Sequence, residues 1–101
     1  MKTITINNTE YNVKYSIRAL FIWEQITGKR FDVTTTMDSY LLFYSMILAS
    51  NKGCTLTFDE FIDAVDEDPS IINNLQGAYL NQSAVEKLTA VQEESKNVES
   101  L

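Results

Sequence analysis

Side chains that could do chemistry are scarce in this sequence, and their densest group is an acidic run over residues 59–68. Asp59, Asp63 and Asp66 recur at helical spacing, so they are predicted to share one helix face. Carboxylates on a single face cannot flank a substrate from two sides, as an acid–base pair must. The run therefore predicts either a solvated helix face or a docking surface for a basic partner. The candidate partner-binding acids are Asp59, Asp63, Asp66 and Glu67.

The remaining residue types exclude most enzyme mechanisms. The chain has no histidine and one cysteine, Cys54, so it lacks a Ser-His-Asp or Cys-His nucleophile and the usual Cys/His zinc site. Its three glycines lie more than twenty residues apart, so they cannot form a glycine-rich phosphate-binding loop. We interpret Cys54 as an incidental thiol. We predict that the protein is not an enzyme and uses no cofactor or metal.

The net charge of −6 is concentrated in the second half of the chain. Residues 1–50 carry five basic and four acidic side chains, whereas residues 51–101 carry three basic and ten acidic ones. This charge would repel a phosphate backbone, so no nucleic-acid partner is expected. The most apolar stretch, residues 39–51, is shorter than the roughly twenty residues of a membrane-spanning helix. With one cysteine and no signal-peptide pattern, the chain is expected in the cytoplasm.

The pattern of elements predicts a mostly helical α+β fold. Isoleucine and threonine alternate before an Asn-Asn turn, which predicts an N-terminal β-hairpin over residues 2–15. About five short helices, packed as a small bundle, are predicted between residues 16 and 91. Residues 1–91 would then form a single domain, and residues 92–101 a polar tail without fixed structure.

The first helix is predicted from Ile17 to Thr27, with Ser16 as its N-cap and Gly28 as the residue that ends it. Its apolar residues form two overlapping stripes. We therefore expect this helix to be largely surrounded by other elements.

The second helix, predicted over residues 37–50, is almost entirely apolar. Such a helix is either central in the core or shared with another subunit, so we predict a homo-oligomer formed through it. Tyr40, Phe43 and Tyr44 are its candidate partner-binding residues, because aromatic side chains are enriched at protein interfaces.

Capping signals predict the later helices. Thr57 and Glu60 form a capping box that opens a third helix, which ends near Glu67. Asp68 can cap a fourth helix, and Ser83 opens a fifth.

In this order, the segments resemble the tail assembly chaperones of long-tailed bacteriophages and related prophages. The resemblance covers about residues 1–80. It consists of a hairpin, a hydrophobic helix that contains a glutamate and closes on Thr-Gly-Lys, and a later helix with a Leu-Thr-x-x-Glu cap. The residues that carry it are Trp23, Glu24, Thr27, Gly28, Lys29, Thr57 and Glu60.

The resemblance implies a non-enzymatic role in the cytoplasm of the host cell. The chaperones of that family bind the helix-rich tape-measure protein, keep it soluble and help tail-tube subunits to gather around it. Some are also made in a longer, frameshifted form.

Two alternatives remain open from the residues themselves. One is a small acidic helical adaptor or regulator, such as a DNA mimic, that binds a basic protein. The other is a helical protein that responds to divalent cations through Asp59, Asp63, Asp66 and Asp68.

Overall fold

The computed structural model describes residues 2–80 of the chain. They form a small α+β fold in which a two-stranded antiparallel hairpin precedes four helices. The predicted α+β class is confirmed for this part of the chain. The fifth helix, predicted from Ser83, and the polar tail at residues 92–101 lie outside the described residues.

The hairpin consists of β1 (Lys2–Ile6) and β2 (Thr9–Val13). Asn7 and Asn8 form its two-residue turn with φ angles of 51° and 64°. Asparagine tolerates this left-handed backbone better than most residues, and such turns match the twist of the strands they join. One face of the hairpin is buried, through Ile4, Ile6 and Val13. The predicted hairpin is therefore confirmed, although β2 ends at Val13 and not at residue 15. The hairpin needs the helices to cover its apolar face.

The first helix, α1 (Ile17–Thr27), has the predicted bounds. The hydroxyl of Ser16 accepts a hydrogen bond from the backbone N–H of Ala19 at 3.2 Å, which satisfies one of the free donors of the first turn. The helix ends at Gly28, whose φ of 70° lies in the left-handed region.

The central helix, α2 (Thr36–Ser50), packs against α1 and β2. It begins one residue before the predicted start at Met37, which corrects that boundary. The hydroxyl of Thr35 accepts the backbone N–H of Asp38 at 3.1 Å, and the Asp38 carboxylate accepts the backbone N–H of Thr35 at 3.2 Å. This reciprocal capping box fixes the first turn of α2.

The end of α2 is joined to the hairpin by one side chain. The amide oxygen of Asn51 accepts the backbone N–H of Asn12 at 2.9 Å, and its amide nitrogen donates to the carbonyl of Asn12 at 2.7 Å. The same nitrogen donates to the carbonyl of Ile47 at 2.8 Å. Asn51 therefore ties the last turn of α2 to β2.

Two further helices complete the described fold. The third helix, α3 (Phe58–Glu67), opens on the predicted capping box of Thr57 and Glu60. The carboxylate of Asp68 then accepts a backbone N–H in the first turn of α4, which is described over residues 70–80. The predicted starts of both helices are confirmed. None of the helices in the described part of the chain is long and apolar enough to cross a membrane.

α1 buries one side only, so the prediction that it is largely surrounded is wrong. Ala19 and Trp23 are fully buried, whereas Ile17 is 64% exposed, Phe21 61% and Ile26 43%. The physical reason is that α1 packs chiefly on α2, which covers the side of Ala19 and Trp23. The side of Ile17 and Phe21 faces solvent instead, whereas Ile26 is exposed near the end of the side that carries Ala19 and Trp23.

α2, in contrast, is covered largely by its own chain. Four of its apolar residues lie in the core, namely Leu42, Phe43, Met46 and Ile47. Met37, at its first turn, is the large hydrophobic residue of α2 that is exposed. The uncovered face that suggested self-association through α2 is therefore small, and self-association stays a prediction.

Candidate functional site

The acidic face of α3 is formed by Asp59, Asp63 and Asp66, which are all exposed. Glu67 is exposed at the last residue of the same helix. Within residues 2–80 no ion pair involves any of these side chains, so no described cation neutralises them. The acidic face is therefore an uncompensated negative surface.

This face is not arranged to enclose a metal ion. In the described part of the chain, no group of three or more histidine, cysteine, aspartate or glutamate side chains could hold one. Asp59, Asp63 and Asp66 follow one another along a single helix, so their carboxylates stand side by side. Asp68, the fourth acid of the cation-responsive alternative, is used to cap α4.

An open apolar groove of about 400 Å³ lies between the first turns of α2 and α3. Its lining residues are Thr36, Met37 and Tyr40 from α2, and Phe58, Asp59 and Ile62 from α3. Asp59 belongs both to this groove and to the acidic face. The groove therefore combines a hydrophobic floor with one negative charge in its wall.

The three candidate aromatic residues of α2 lie in different environments. Tyr40 is half-buried and lines the groove. Phe43 is in the core at 6% exposure, where its ring contacts that of Tyr40 edge-on. Tyr44 is half-buried, and its hydroxyl donates to the carbonyl of Leu56 at 2.6 Å. Burial raises the pKa of the Tyr44 hydroxyl above its ordinary value. Of the three, Tyr40 alone lines the groove.

The residues of α1 that resemble the chaperone family, here called the family-like pattern, contact the connector, which is residues 28–35 between α1 and α2. The indole nitrogen of Trp23 donates to the carbonyl of Asp38 at 2.9 Å, and the ring of Trp23 packs edge-on against Phe31. The carboxylate of Glu24 accepts the backbone N–H of Phe31 at 2.8 Å.

The closing Thr-Gly-Lys segment contributes to the same connector. The Thr27 hydroxyl donates to the carbonyl of Trp23 at 2.9 Å, and the backbone N–H of Gly28 donates to that of Glu24 at 2.8 Å. The Lys29 ammonium lies 5.5 Å from the centre of the Trp23 ring and 3.3 Å from a carboxylate oxygen of Asp38. These residues therefore act as scaffold, since they contact the segment that leads into α2 and Asp38 in its first turn.

Asp38 is the residue of this scaffold that sequence reasoning missed. It is 4% exposed, and its carboxylate accepts the backbone N–H and the hydroxyl of Thr34, each at 3.1 Å. The backbone N–H of Thr34, that of Thr35 and the Lys29 ammonium lower the pKa of Asp38 to about 2, against the opposing effect of burial. The spacing of Thr35 and Asp38 was the sequence signal that could have revealed it.

The capping pair Thr57 and Glu60, which also belongs to the family-like pattern, has a structural role as well. The Glu60 carboxylate accepts the backbone N–H of Thr57 at 2.9 Å, while the Thr57 hydroxyl accepts the backbone N–H of Glu60 at 3.1 Å. The hydrogen bonds from Thr57 lower the pKa of Glu60. Glu60 is therefore committed to the start of α3.

A second concavity, of about 560 Å³, follows the connector and is lined by Lys29, Arg30, Phe31, Asp32 and Thr34. The charge of Lys29 is balanced by its ion pair with Asp38. Asp32 adds a further negative charge beside Arg30. The concavity therefore concentrates no net positive charge that would attract a phosphate group.

The exposed side of α1 is the surface that sequence reasoning did not anticipate. Ile17 and Phe21 are one helical turn apart, so their side chains lie next to each other on the solvent side. The spacing was visible in the sequence, but it did not show which of the two apolar stripes would face α2. We call the pair Ile17 and Phe21 the α1 apolar pair.

No family model, curated protein or solved structure matches this chain. The function is therefore inferred from the surface chemistry of the described residues and from the sequence resemblance.

Proposed function

We propose that this chain is a non-enzymatic tail assembly chaperone of a phage or prophage. It binds the tape-measure protein in the host cytoplasm and assists assembly of the tail tube. The observation that carries the proposal is the α1 apolar pair, Ile17 and Phe21, which is 64% and 61% exposed beside a well-filled core. Contiguous exposed apolar side chains mark candidate surfaces for binding another protein.

The scaffold supports the proposal in a second way. The pattern that resembles the chaperone family, from Trp23 to Lys29, forms structural contacts with the connector and with Asp38. A pattern of structural residues specifies a fold and the position of its surfaces. A protein that acts through such surfaces needs no catalytic residue. This is the expected relation between sequence and function in a family that acts by binding.

Co-expression with the tape-measure protein of the same genome tests the proposal. We expect the tape-measure protein to become more soluble and to copurify with the full chain. Failure to obtain either a complex or a gain in solubility would contradict the proposed function.

An acidic adaptor or DNA mimic is the second candidate, and it is favoured by the uncompensated acidic face of α3. Such a protein would bind a basic partner mainly through charge, so its affinity would fall steeply as salt is raised. A complex held by the α1 apolar pair would be much less sensitive to salt. The dissociation constant of the chain's complex with its partner, measured at low and at moderate ionic strength, separates the two candidate functions.

A further inference from the structure

The groove between α2 and α3 points to a more specific partner than an apolar surface alone would. We propose that it binds an amphipathic helix of a partner protein that carries lysine or arginine along one flank of its apolar face. This inference rests on the proposed function, because it concerns how the chain binds protein. It deepens that function by assigning the groove as a second contact surface beside the α1 apolar pair.

Hydrophobic contact is the first part of the argument. Met37 is 58% exposed, and Tyr40 and Ile62 are half-buried at the groove. A groove of about 400 Å³ can take anchoring side chains from a partner, being within the range of roughly 300–1,000 Å³ typical of binding pockets.

The backbone of the groove favours a helix over an extended peptide. An extended peptide binds by pairing with free backbone N–H and carbonyl groups of a strand edge. The groove is instead built from two helix starts, and the capping boxes at Thr35 and Thr57 already engage donors of these first turns. A helix satisfies its own backbone and needs only apolar anchors, so it fits this surface better.

Charge defines the flank of the partner helix. Asp59 lies in the groove wall, and Asp63 and Asp66 continue the acidic face along α3. The first and last of these residues are about 10 Å apart along the helix axis, which is roughly two turns. Basic side chains spaced over about two turns of the partner helix would therefore meet these carboxylates.

The same charge argues against two other occupants. A second copy of the chain that docked through the same surface would bring an identical acidic face. Residues 81–101 carry two lysines and four glutamates, so they are acidic as well. Both would face like-charge repulsion at Asp59, which leaves a basic segment of another protein as the complementary occupant.

A peptide of about 18 residues, long enough to form a helix, is the probe that tests the proposal. Leucine would recur every three or four residues, with lysine on the flanks, and the matched peptide would carry glutamate in place of lysine. We expect the full chain to bind the lysine peptide, measured by fluorescence anisotropy, and not the glutamate peptide. Equal binding of the two peptides, or no binding of the lysine peptide, would overturn the proposal.

Substitutions locate the binding. Met37→Ser should weaken binding of the lysine peptide about tenfold, and each of D59N, D63N and D66N about twofold. The matched controls are Ile26→Ser, an exposed apolar residue of α1 outside the α1 apolar pair, and Glu10→Gln, an exposed acid of β2. Unchanged affinity of the controls would support the groove as the site. An equal loss in the controls would overturn it.

Two further measurements separate this inference from its alternatives. If the tape-measure complex forms but M37S and D59N leave it and the peptide unaffected, the groove proposal fails while the proposed function stands. If sedimentation shows a dimer of the chain that M37S abolishes, a second copy occupies the groove, and the proposal of a foreign helix is overturned.

Discussion

Asp38 is the side chain on which the most contacts of the connector converge. It caps α2, binds Thr34 twice, pairs with Lys29, and offers its carbonyl to the indole of Trp23. A buried carboxylate is tolerated only when hydrogen bonds and a cation stabilise its charged form. Here both are present, which explains the pKa of about 2.

The pH dependence of stability should reveal this carboxylate. Because the pKa of Asp38 falls from 3.8 to about 2 on folding, the folded state binds its proton less tightly. Its contribution to stability is therefore complete above about pH 5 and is lost as the pH falls towards 2. We expect the difference in urea midpoint between wild type and Asp38→Asn to be large at pH 6 and to narrow below pH 4.

The matched control for this measurement is Asp32→Asn, an exposed acid of the same connector. It should change the urea midpoint little at any pH. If the difference in urea midpoint between wild type and D38N stayed constant from pH 6 to pH 3, the stabilising role of the Asp38 charge would be contradicted.

Two glycines make a second test at the residue scale. Gly28 has a φ of 70°. This left-handed backbone conformation costs residues with a Cβ about 1 kcal/mol or more, so Gly28→Ala should lower the free energy of unfolding by about that amount. Gly77 lies in α4, where an added Cβ would meet only the mobile end of the Lys2 side chain. Because alanine favours a helix over glycine by up to about 1 kcal/mol, Gly77→Ala should be neutral or slightly stabilising. Urea denaturation measures both, and equal losses would contradict this account.

At the scale of elements, Asn51 should matter for the contact between α2 and the hairpin. Asn51→Ala removes the hydrogen bonds to Asn12 and Ile47, and we expect a loss of about 1–2 kcal/mol in the free energy of unfolding. Lys52→Ala, at the exposed neighbouring position, is the control. Hydrogen exchange should also become faster at Asn12 in N51A, and unchanged exchange there would contradict the proposed link.

Local signals explain which elements could be predicted. The turn at Asn7 and Asn8, the N-cap at Ser16 and the capping box at Thr57 each act over a few residues, and each is confirmed. The exposed side of α1 could not be predicted, because both of its apolar stripes suit a core and the choice depends on the packing of α2. The groove could not be predicted either, since it exists only where two distant helix starts meet.

At the scale of the whole molecule, the scaffold and the contact surfaces use different residues. The α1 apolar pair makes no contribution to the core, so a double substitution of Ile17 and Phe21 to serine should leave the urea midpoint almost unchanged. If the proposed complex with the tape-measure protein forms, the same variant should weaken it. Copurification yield and denaturation, measured on the same preparation, test both statements.

Trp23→Phe is the complementary control for this test. It removes the hydrogen bond to Asp38 and part of a fully buried side chain, so it should lower stability without altering either contact surface directly. If W23F and the serine variant affected stability and binding to the same extent, the division between scaffold and surface would be wrong.

The two hydrogen bonds between Asn51 and Asn12 have a consequence for aggregation. A strand at the edge of a sheet is a template onto which strands of other molecules can add, and a two-stranded hairpin has two such edges. On β2 the Asn51 amide occupies the N–H and the carbonyl of Asn12 in the way that a neighbouring strand would. An incoming strand would find its ladder interrupted there, so this side chain protects the β2 edge of the hairpin from growing into an intermolecular sheet.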